Sequence, residues 1–225
     1  MNPTLRRSVA SFLSPAAVLL AVPASAQGDA PETKDTGSGI AVGLRASYGV
    51  PLGDFYDGFA MDERFESVIA PQVDVGYFLN ANVYLGAYGQ FGVAQIASGA
   101  CPTGVDCGGR VLRFGVGASY HFFSESAIRP WLGAGIGYEF TRLDASGSGA
   151  RGGSVTYKGL EFAHVDLGLD FKVHEHVWVG PQVTATVGQF SRLTLAEGAF
   201  EVSSDIEAKS FHAWLQPGLR LQVRL

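Results

Sequence analysis

The chain has 225 residues, of which 47% are hydrophobic and 16% charged, with 30 glycines and a formal net charge of −5. Charged residues usually make up about a quarter of a soluble protein, so the sequence lacks the charge that a water-facing β-protein surface needs. The negative balance also argues against a nucleic-acid partner, because surfaces that bind nucleic acids are basic.

The first 26 residues have the pattern of a secretory signal peptide. Arg6 and Arg7 precede a mostly apolar run over 9–22, and Ala24-Ser25-Ala26 is a small-residue cleavage site. Loss of the two arginines shifts the net charge from −5 to −7. Residues 27–38 are polar and are predicted to be a disordered periplasmic lead-in. No window approaches about 18 uninterrupted apolar residues, so no transmembrane helix is predicted.

From residue 39 onward, apolar residues alternate with small or polar ones, which predicts β-strands with two different faces. The predicted strands cover residues 40–50, 69–79, 83–93, 112–122, 129–140, 162–173, 177–188 and 211–225. The connections are long at 51–66, 98–109, 144–156 and 191–207, and short at 80–82, 124–127 and 174–176. This alternation is typical of outer-membrane barrels. Residues 39–225 are therefore predicted to form one all-β domain, an eight-stranded antiparallel up-and-down transmembrane β-barrel.

The last strand shows the pattern most strictly, because every second residue from Phe211 to Leu225 is apolar. At about 3.3 Å per residue the strand exceeds the roughly 9–11 tilted residues that cross a bilayer. Pairing of this strand with the first one closes the barrel and leaves no free sheet edge in the membrane.

The same strand carries a family resemblance. Gln216, Gly218, Leu221 and Val223 resemble the C-terminal assembly signal of bacterial outer-membrane barrels, with Leu225 where a terminal aromatic is common. Residues 39–225 as a whole resemble the small eight-stranded barrels of the OmpA/OmpX/OmpW-like porin family. The resemblance implies a monomer that is inserted by the outer-membrane assembly machinery and surrounded by outer-membrane lipid and lipopolysaccharide. The long loops are then extracellular, and both termini and the short turns are periplasmic.

The apolar face is expected to contact lipid. Its aromatic residues fall near the strand ends, as the two girdles of a membrane barrel do: Tyr48, Phe91, Tyr138, Phe140 and Phe211 at one rim, and Tyr77, Tyr120, Phe122 and Phe171 at the other. A soluble barrel would place the apolar face inside and the other face in water. That other face is rich in Gly, Trp and Gln and poor in lysine, so it would make a poor water-exposed surface.

The second face carries the polar residues that are expected to line the lumen: Arg45, Asp74, Arg113, Arg129, Glu139, His164, Asp166, Asp170, Lys172, His212, Arg220 and Arg224. Opposite charges should pair there, because an isolated buried charge is costly. The four acids are predicted to pair with arginines or Lys172. Either these residues form a structural network that fills the lumen, or they line a narrow polar pathway. Trp131, Trp178, Trp214, Phe162 and Tyr84 are the bulky inward residues that decide whether space remains.

Catalytic and metal sites are not predicted. His164 and Asp166 share the inward face, but no serine stands in an H-x-S arrangement, and a lipid hydrolase needs its nucleophile and base at the lipid surface. His174-Glu175-His176 lacks a third ligand for a metal. The acidic segment 51–66 lacks the spacing of an EF-hand, so a solvated loop is expected. No cofactor is expected either.

Two cysteines, Cys101 and Cys107, flank a turn-rich segment of the second long loop. Because the chain is exported to an oxidising compartment, a disulfide between them is predicted.

Three functions are compatible with this sequence. The first is a non-enzymatic outer-membrane barrel with a structural or surface-interaction role, presenting four extracellular loops. The second is a narrow channel for small solutes, and the third is an outer-membrane lipid hydrolase. The pattern specifies a scaffold, and scaffolds of this kind support many functions through their loops.

Overall fold

Antiparallel β-strands make up the regular structure of the computed structural model, which describes residues 37–147 and 150–225. The strands are β1 (Gly39–Tyr56), β2 (Phe59–Ala60), β3 (Phe65–Phe78), β4 (Val83–Ile96), β5 (Val105–His121), β6 (Ile128–Gly147), β7 (Ala150–His174), β8 (Val177–Glu197), β9 (Phe200–Asp205) and β10 (Phe211–Arg224). The predicted signal peptide and nearly all of the predicted lead-in lie outside the described residues. Within the described ranges, no helix is long and apolar enough to cross a membrane.

Eight of these strands form a closed ring. Each pairs with its neighbour along the chain, and β10 pairs with both β8 and β1. The closing pair runs from Ala41 opposite Arg224 to Gly53 opposite His212. The predicted eight-stranded antiparallel barrel, closed by its last strand, is therefore confirmed. The short strands β2 and β9 lie outside the ring, paired with β1 and β8.

The two ends of the barrel differ. The hairpin end carries the connections β1–β2–β3, β4–β5, β6–β7 and β8–β9–β10, and the termini end carries the turns β3–β4, β5–β6 and β7–β8 together with Gly39 and Arg224. At the hairpin end the strands continue beyond the predicted limits, so that Gly147 pairs with Ala150 and Glu197 with Phe200. The interpretation of 51–66, 98–109, 144–156 and 191–207 as loops was wrong for the parts of these segments that lie in strands, because backbone hydrogen bonds extend the hairpins where the apolar alternation has already ended.

Side-chain exposure follows the predicted phase. Val183 and Leu167 point out of the barrel, where they are 41% and 58% exposed in the isolated chain, whereas Thr184 points inward and is 2% exposed. An apolar outward face around a polar interior is the arrangement of a membrane barrel.

Strand β7 breaks this phase at Phe162. The register of β7 shifts between Glu161 and Ala163 relative to β8, and over the same residues relative to β6. This β-bulge inserts one extra residue and therefore exchanges the two faces on one side of it. Phe162 points outward and is 48% exposed, while Glu161 is buried. The prediction that Phe162 points into the lumen is corrected accordingly.

The predicted disulfide is present. Cys101 and Cys107 are bonded, with their Cα atoms 6.0 Å apart. The bond joins the β4–β5 connection to the start of β5, so the turn is closed at the hairpin end.

Candidate functional site

Arg45 holds together the middle layer of the lumen. Its Nε donates to Asp74 at 2.7 Å, and its Nη1 donates to Asp166 at 2.8 Å. Gln72 donates to the other oxygen of Asp74, and the hydroxyl of Thr184 donates to Asp166 at 2.6 Å. One guanidinium thus bridges carboxylates on opposite sides of the ring, and both carboxylates are further satisfied.

A second centre forms around Arg113, which is 1% exposed. Its Nε donates to Glu139 at 2.9 Å and its Nη1 donates to Gln90 at 2.6 Å. Glu139 also accepts hydrogen bonds from Thr141 at 2.7 Å and from the indole of Trp214 at 3.3 Å. The ring nitrogen of His212 lies 3.4 Å from this carboxylate.

Glu161 connects the two centres. Its carboxylate accepts a hydrogen bond from the phenol of Tyr88 at 2.6 Å and lies 2.8 Å from Nδ1 of His164. The other ring nitrogen of His164 is 3.3 Å from Asp166, and Glu161 is 3.6 Å from Arg113. Sequence reasoning missed Glu161. The sequence did contain one signal for it. If the alternation continued without a break from Ala163, the carboxylate of Glu161 would point into lipid, and a bulge avoids this.

Nearer the termini end, aromatic rings and arginines fill the lumen. Arg220 lies over the ring of Trp131 at 4.2 Å, and its Nη1 is 3.6 Å from Asp170. Asp170 also accepts a hydrogen bond from the indole of Trp131 at 3.1 Å. Arg224 lies over Phe78 at 3.7 Å. Each of the four predicted inward acids therefore has an arginine nitrogen within 4 Å.

Arg129 and Lys172 depart from the prediction. Both lie at the mouth of the termini end, where Arg129 stacks on Trp178 at 3.7 Å and Lys172 is exposed. Neither has a carboxylate within 4 Å among the described residues. Their positions at strand ends let the long side chains reach water, so they are not members of the lumen network.

The hairpin end of the lumen is closed by an apolar layer, the hairpin-end cluster. Its large buried members are Phe55, Met61, Phe65, Val68, Val111, Tyr157, Phe190, Ile206 and Trp214. Phe55, Phe65 and Phe190 are fully buried. Below this layer, a cavity beside Arg45 and His164 has a volume of about 30 Å³, which is room for about one water molecule.

A serine, a histidine and an aspartate also meet in the lumen. The hydroxyl of Ser119 is 3.1 Å from Nε2 of His121, whose Nδ1 is 3.7 Å from Asp170. However, Nδ1 also lies 3.4 Å from Nη2 of Arg224, which can only donate. Nδ1 is then the acceptor and Nε2 carries the proton, so His121 cannot take a proton from Ser119 as a catalytic base does. This Ser-x-His pair was missed in the sequence, and its geometry is not that of a hydrolase.

No metal site emerges in the described part of the chain, where no three His, Cys, Asp or Glu side chains are grouped to hold an ion.

The residues that resemble an assembly signal lie where β10 meets β1. Gln216 is fully buried and accepts a hydrogen bond from Gln90 at 3.0 Å. A side chain at Gly218 would lie only 2.6 Å from the hydroxyl of Ser47. Leu221 and Val223 pair with Leu44 and Val42. These contacts give the four residues a packing role, and their role in assembly stays a prediction.

Beyond the hairpin-end cluster lies an open cleft of about 890 Å³. Its apolar lining comes from several hairpins: Phe59, Ile96, Leu143, Val155, Tyr157, Leu195, Phe200 and Val202. The charged residues of the lining are Arg64, Asp144 and Glu197. Sequence reasoning did not find this cleft, because its residues lie in segments that were interpreted as loops or at the ends of predicted strands.

A closed ring with an apolar outer face and a filled polar interior defines an integral membrane β-barrel. The sequence model of the outer membrane protein beta-barrel domain family matches residues 13–213. The chain belongs to this family and is a protein of the bacterial outer membrane. No curated protein sequence matches it.

Solved structures of outer-membrane proteins are similar to this chain. A major outer membrane protein from Thermus thermophilus has a TM-score of 0.55 and 9% identity, covering 82% of this chain and 98% of its own. For Neisserial surface protein A the TM-score is 0.49 at 14% identity, covering 84% of this chain and 97% of that one. For Ail, the attachment invasion locus protein of Yersinia pestis, the TM-score is 0.43 at 14% identity, covering 82% of this chain and 97% of that one. At 9% identity, the likeness to the Thermus thermophilus protein concerns the fold alone.

Proposed function

We propose that the protein is a non-enzymatic, non-conducting outer-membrane barrel whose hairpin end interacts with molecules outside the cell. The filled lumen supports the absence of conduction, and the open apolar cleft at the hairpin end supports the surface interaction. Arg45 and Arg113 are each tied to carboxylates across the interior, and the hairpin-end cluster closes one end. Opening a path through such an interior separates buried ion pairs, which costs several kcal/mol per pair.

The barrel is oriented with its hairpin end outside and both termini in the periplasm. The support is the asymmetry of the connections, because β6, β7 and β8 extend far beyond the roughly 9–11 residues that span a bilayer. Lipid and lipopolysaccharide surround the apolar outer face, and the outer-membrane assembly machinery inserts the chain. The closed ring leaves no membrane strand unpaired, which supports a monomer.

Conductance tests the first part of the proposal. The mature protein in planar bilayers should show no discrete current steps, and reproducible steps would favour the narrow channel instead.

Orientation is tested by a membrane-impermeant maleimide on intact cells. Glu201→Cys at the hairpin end should be labelled, whereas Glu175→Cys at the termini end should be labelled only after the outer membrane is opened. The reverse pattern would contradict the orientation.

A further inference from the structure

The cleft at the hairpin end has the size and lining of a ligand site. Its volume of about 890 Å³ lies within the roughly 300–1,000 Å³ of small-molecule pockets, which are mostly apolar with a few polar groups. Leu143 and Val155 face it from β6 and β7, while Leu195 and Val202 face it from β8 and β9. The disulfide-linked Cys107 also lines it.

Several of these apolar side chains are strongly exposed to water. Phe200 and Val202 are 76% and 65% exposed, and Leu195 is 48% exposed. They lie on the β8–β9 ribbon, the hairpin formed by residues 192–205. This ribbon extends beyond the membrane-spanning part of β8, so lipid does not cover these side chains in the proposed orientation. Apolar surface grouped around a concavity is typical of an interaction site rather than of scattered surface residues.

The charge of the cleft specifies the ligand further. Arg64 stacks on Phe59 at 4.5 Å, and its buried Nε has no hydrogen-bond partner. Among the described residues, no carboxylate lies within 4 Å of this guanidinium. Asp144, another charged residue of the lining, already pairs with Arg142 at 2.7 Å. Glu197 is the other acidic residue of the lining. Its carboxylate would repel a second negative group on the ligand, so a ligand with one acidic group, placed at Arg64, is favoured.

The floor of the cleft is closed. Tyr157 belongs both to the lining and to the hairpin-end cluster, where its ring lies 4.4 Å from that of Phe55. Phe190 packs against both rings. A molecule that enters the cleft therefore meets a packed aromatic layer instead of a route into the lumen.

We propose that the cleft binds an apolar monocarboxylate, whose hydrocarbon part lies among Leu143, Leu195 and Phe200 and whose carboxylate pairs with Arg64. This inference deepens the proposed surface interaction and rests on it. It describes binding at the outer surface without passage through the barrel.

The probe is phenylvalerate, with the neutral phenylpentanol as its counterpart, titrated into full-length mature protein in lipid nanodiscs with empty nanodiscs subtracted. Saturable binding of phenylvalerate is expected. Arg64→Gln should weaken it about tenfold or more, as loss of a charge-assisted hydrogen bond does, and should leave phenylpentanol unchanged. Phe200→Ser should weaken both probes.

Phe123→Ser is the matched control, because Phe123 is 72% exposed at the opposite end, and it should bind both probes as the parent does. Lack of saturable binding to the parent, or equal binding by Arg64→Gln, would overturn the proposal. An effect of Phe123→Ser as large as that of Phe200→Ser would overturn it too. The conductance and surface-labelling experiments do not depend on the probe. If phenylvalerate does not bind, but the bilayers show no current steps and the hairpin end is labelled on intact cells, only the ligand proposal fails and the proposed function stands.

Discussion

The phenol of Tyr88 on β4 donates a 2.6 Å hydrogen bond to Glu161 on β7, across the lumen from one wall to the other. This contact exists only because the bulge at Phe162 turns Glu161 inward. The carboxylate then also serves His164 and Arg113. A local irregularity of one strand thus supplies the acid that connects the two arginine centres.

Glu161→Ala should lower the free energy of unfolding by about 3–5 kcal/mol, because His164 and Arg113 lose a buried counter-charge. The measurement is denaturant unfolding in lipid vesicles. Glu201→Ala is the control, since Glu201 is exposed in β9, and it should change stability little. Equal stability of the two variants would mean that water, rather than packed protein, surrounds Glu161.

Arg113→Ala should be strongly destabilising, by about 3–5 kcal/mol, because it leaves Glu139 buried without its main partner. Arg192→Ala provides a matched comparison, since Arg192 pairs with Asp205 at 3.3 Å on the exposed ribbon. Loss of such a surface pair costs about 0–1 kcal/mol. If both substitutions have the same small effect in vesicle unfolding experiments, the lumen is hydrated and the narrow-channel function is favoured over the closed barrel.

Much of the barrel, but less of its interior, could be predicted from the alternation of apolar residues. The ring, its closure by β10 and the outward face of Val183 follow from a period of two, which every strand of a barrel must obey. A strict period of two does not itself contain the bulge, and its one signal in the sequence was that unbroken alternation would place Glu161 in lipid. Arg129 and Lys172 share the inward phase with Arg45, yet their depth along the barrel decides that they reach water. The hairpin extensions and the cleft depend on backbone pairing in segments without a strict pattern.

Val183→Arg tests which face meets lipid. Val183 lies mid-strand on the outer face, and an arginine there should cost about 2–4 kcal/mol in a bilayer. Val202→Arg is the control, because Val202 is exposed on the ribbon that extends past the ring, and its effect should be near zero. A fluorophore attached to a Val183→Cys variant, in a background without the native cysteines, should be quenched by lipid-soluble agents. Quenching by aqueous agents alone would rule out the membrane-facing assignment.

The disulfide can be checked chemically. Unreduced, denatured protein should react with no thiol reagent, and reduced protein should react with two equivalents, because Cys101 and Cys107 are bonded. The double Ser variant should lose about 2–3 kcal/mol or less, since the closed loop is short. It should also bind phenylvalerate more weakly than the parent, because Cys107 lines the cleft. Reaction of two thiols in the unreduced protein would contradict the bond.

Strand β8 changes partner along its length. It pairs with β10 as far as Gln189 opposite Phe211, and with β9 from Arg192 opposite Asp205. The ribbon that carries Phe200 is therefore a direct continuation of a membrane strand that is hydrogen-bonded on both sides. A particle that pulls on the ribbon along the barrel axis loads the β8–β10 and β7–β8 hydrogen bonds together, in shear, instead of opening them one at a time. The ribbon is thus mechanically anchored, and tension applied to it is shared by β7, β8 and β10.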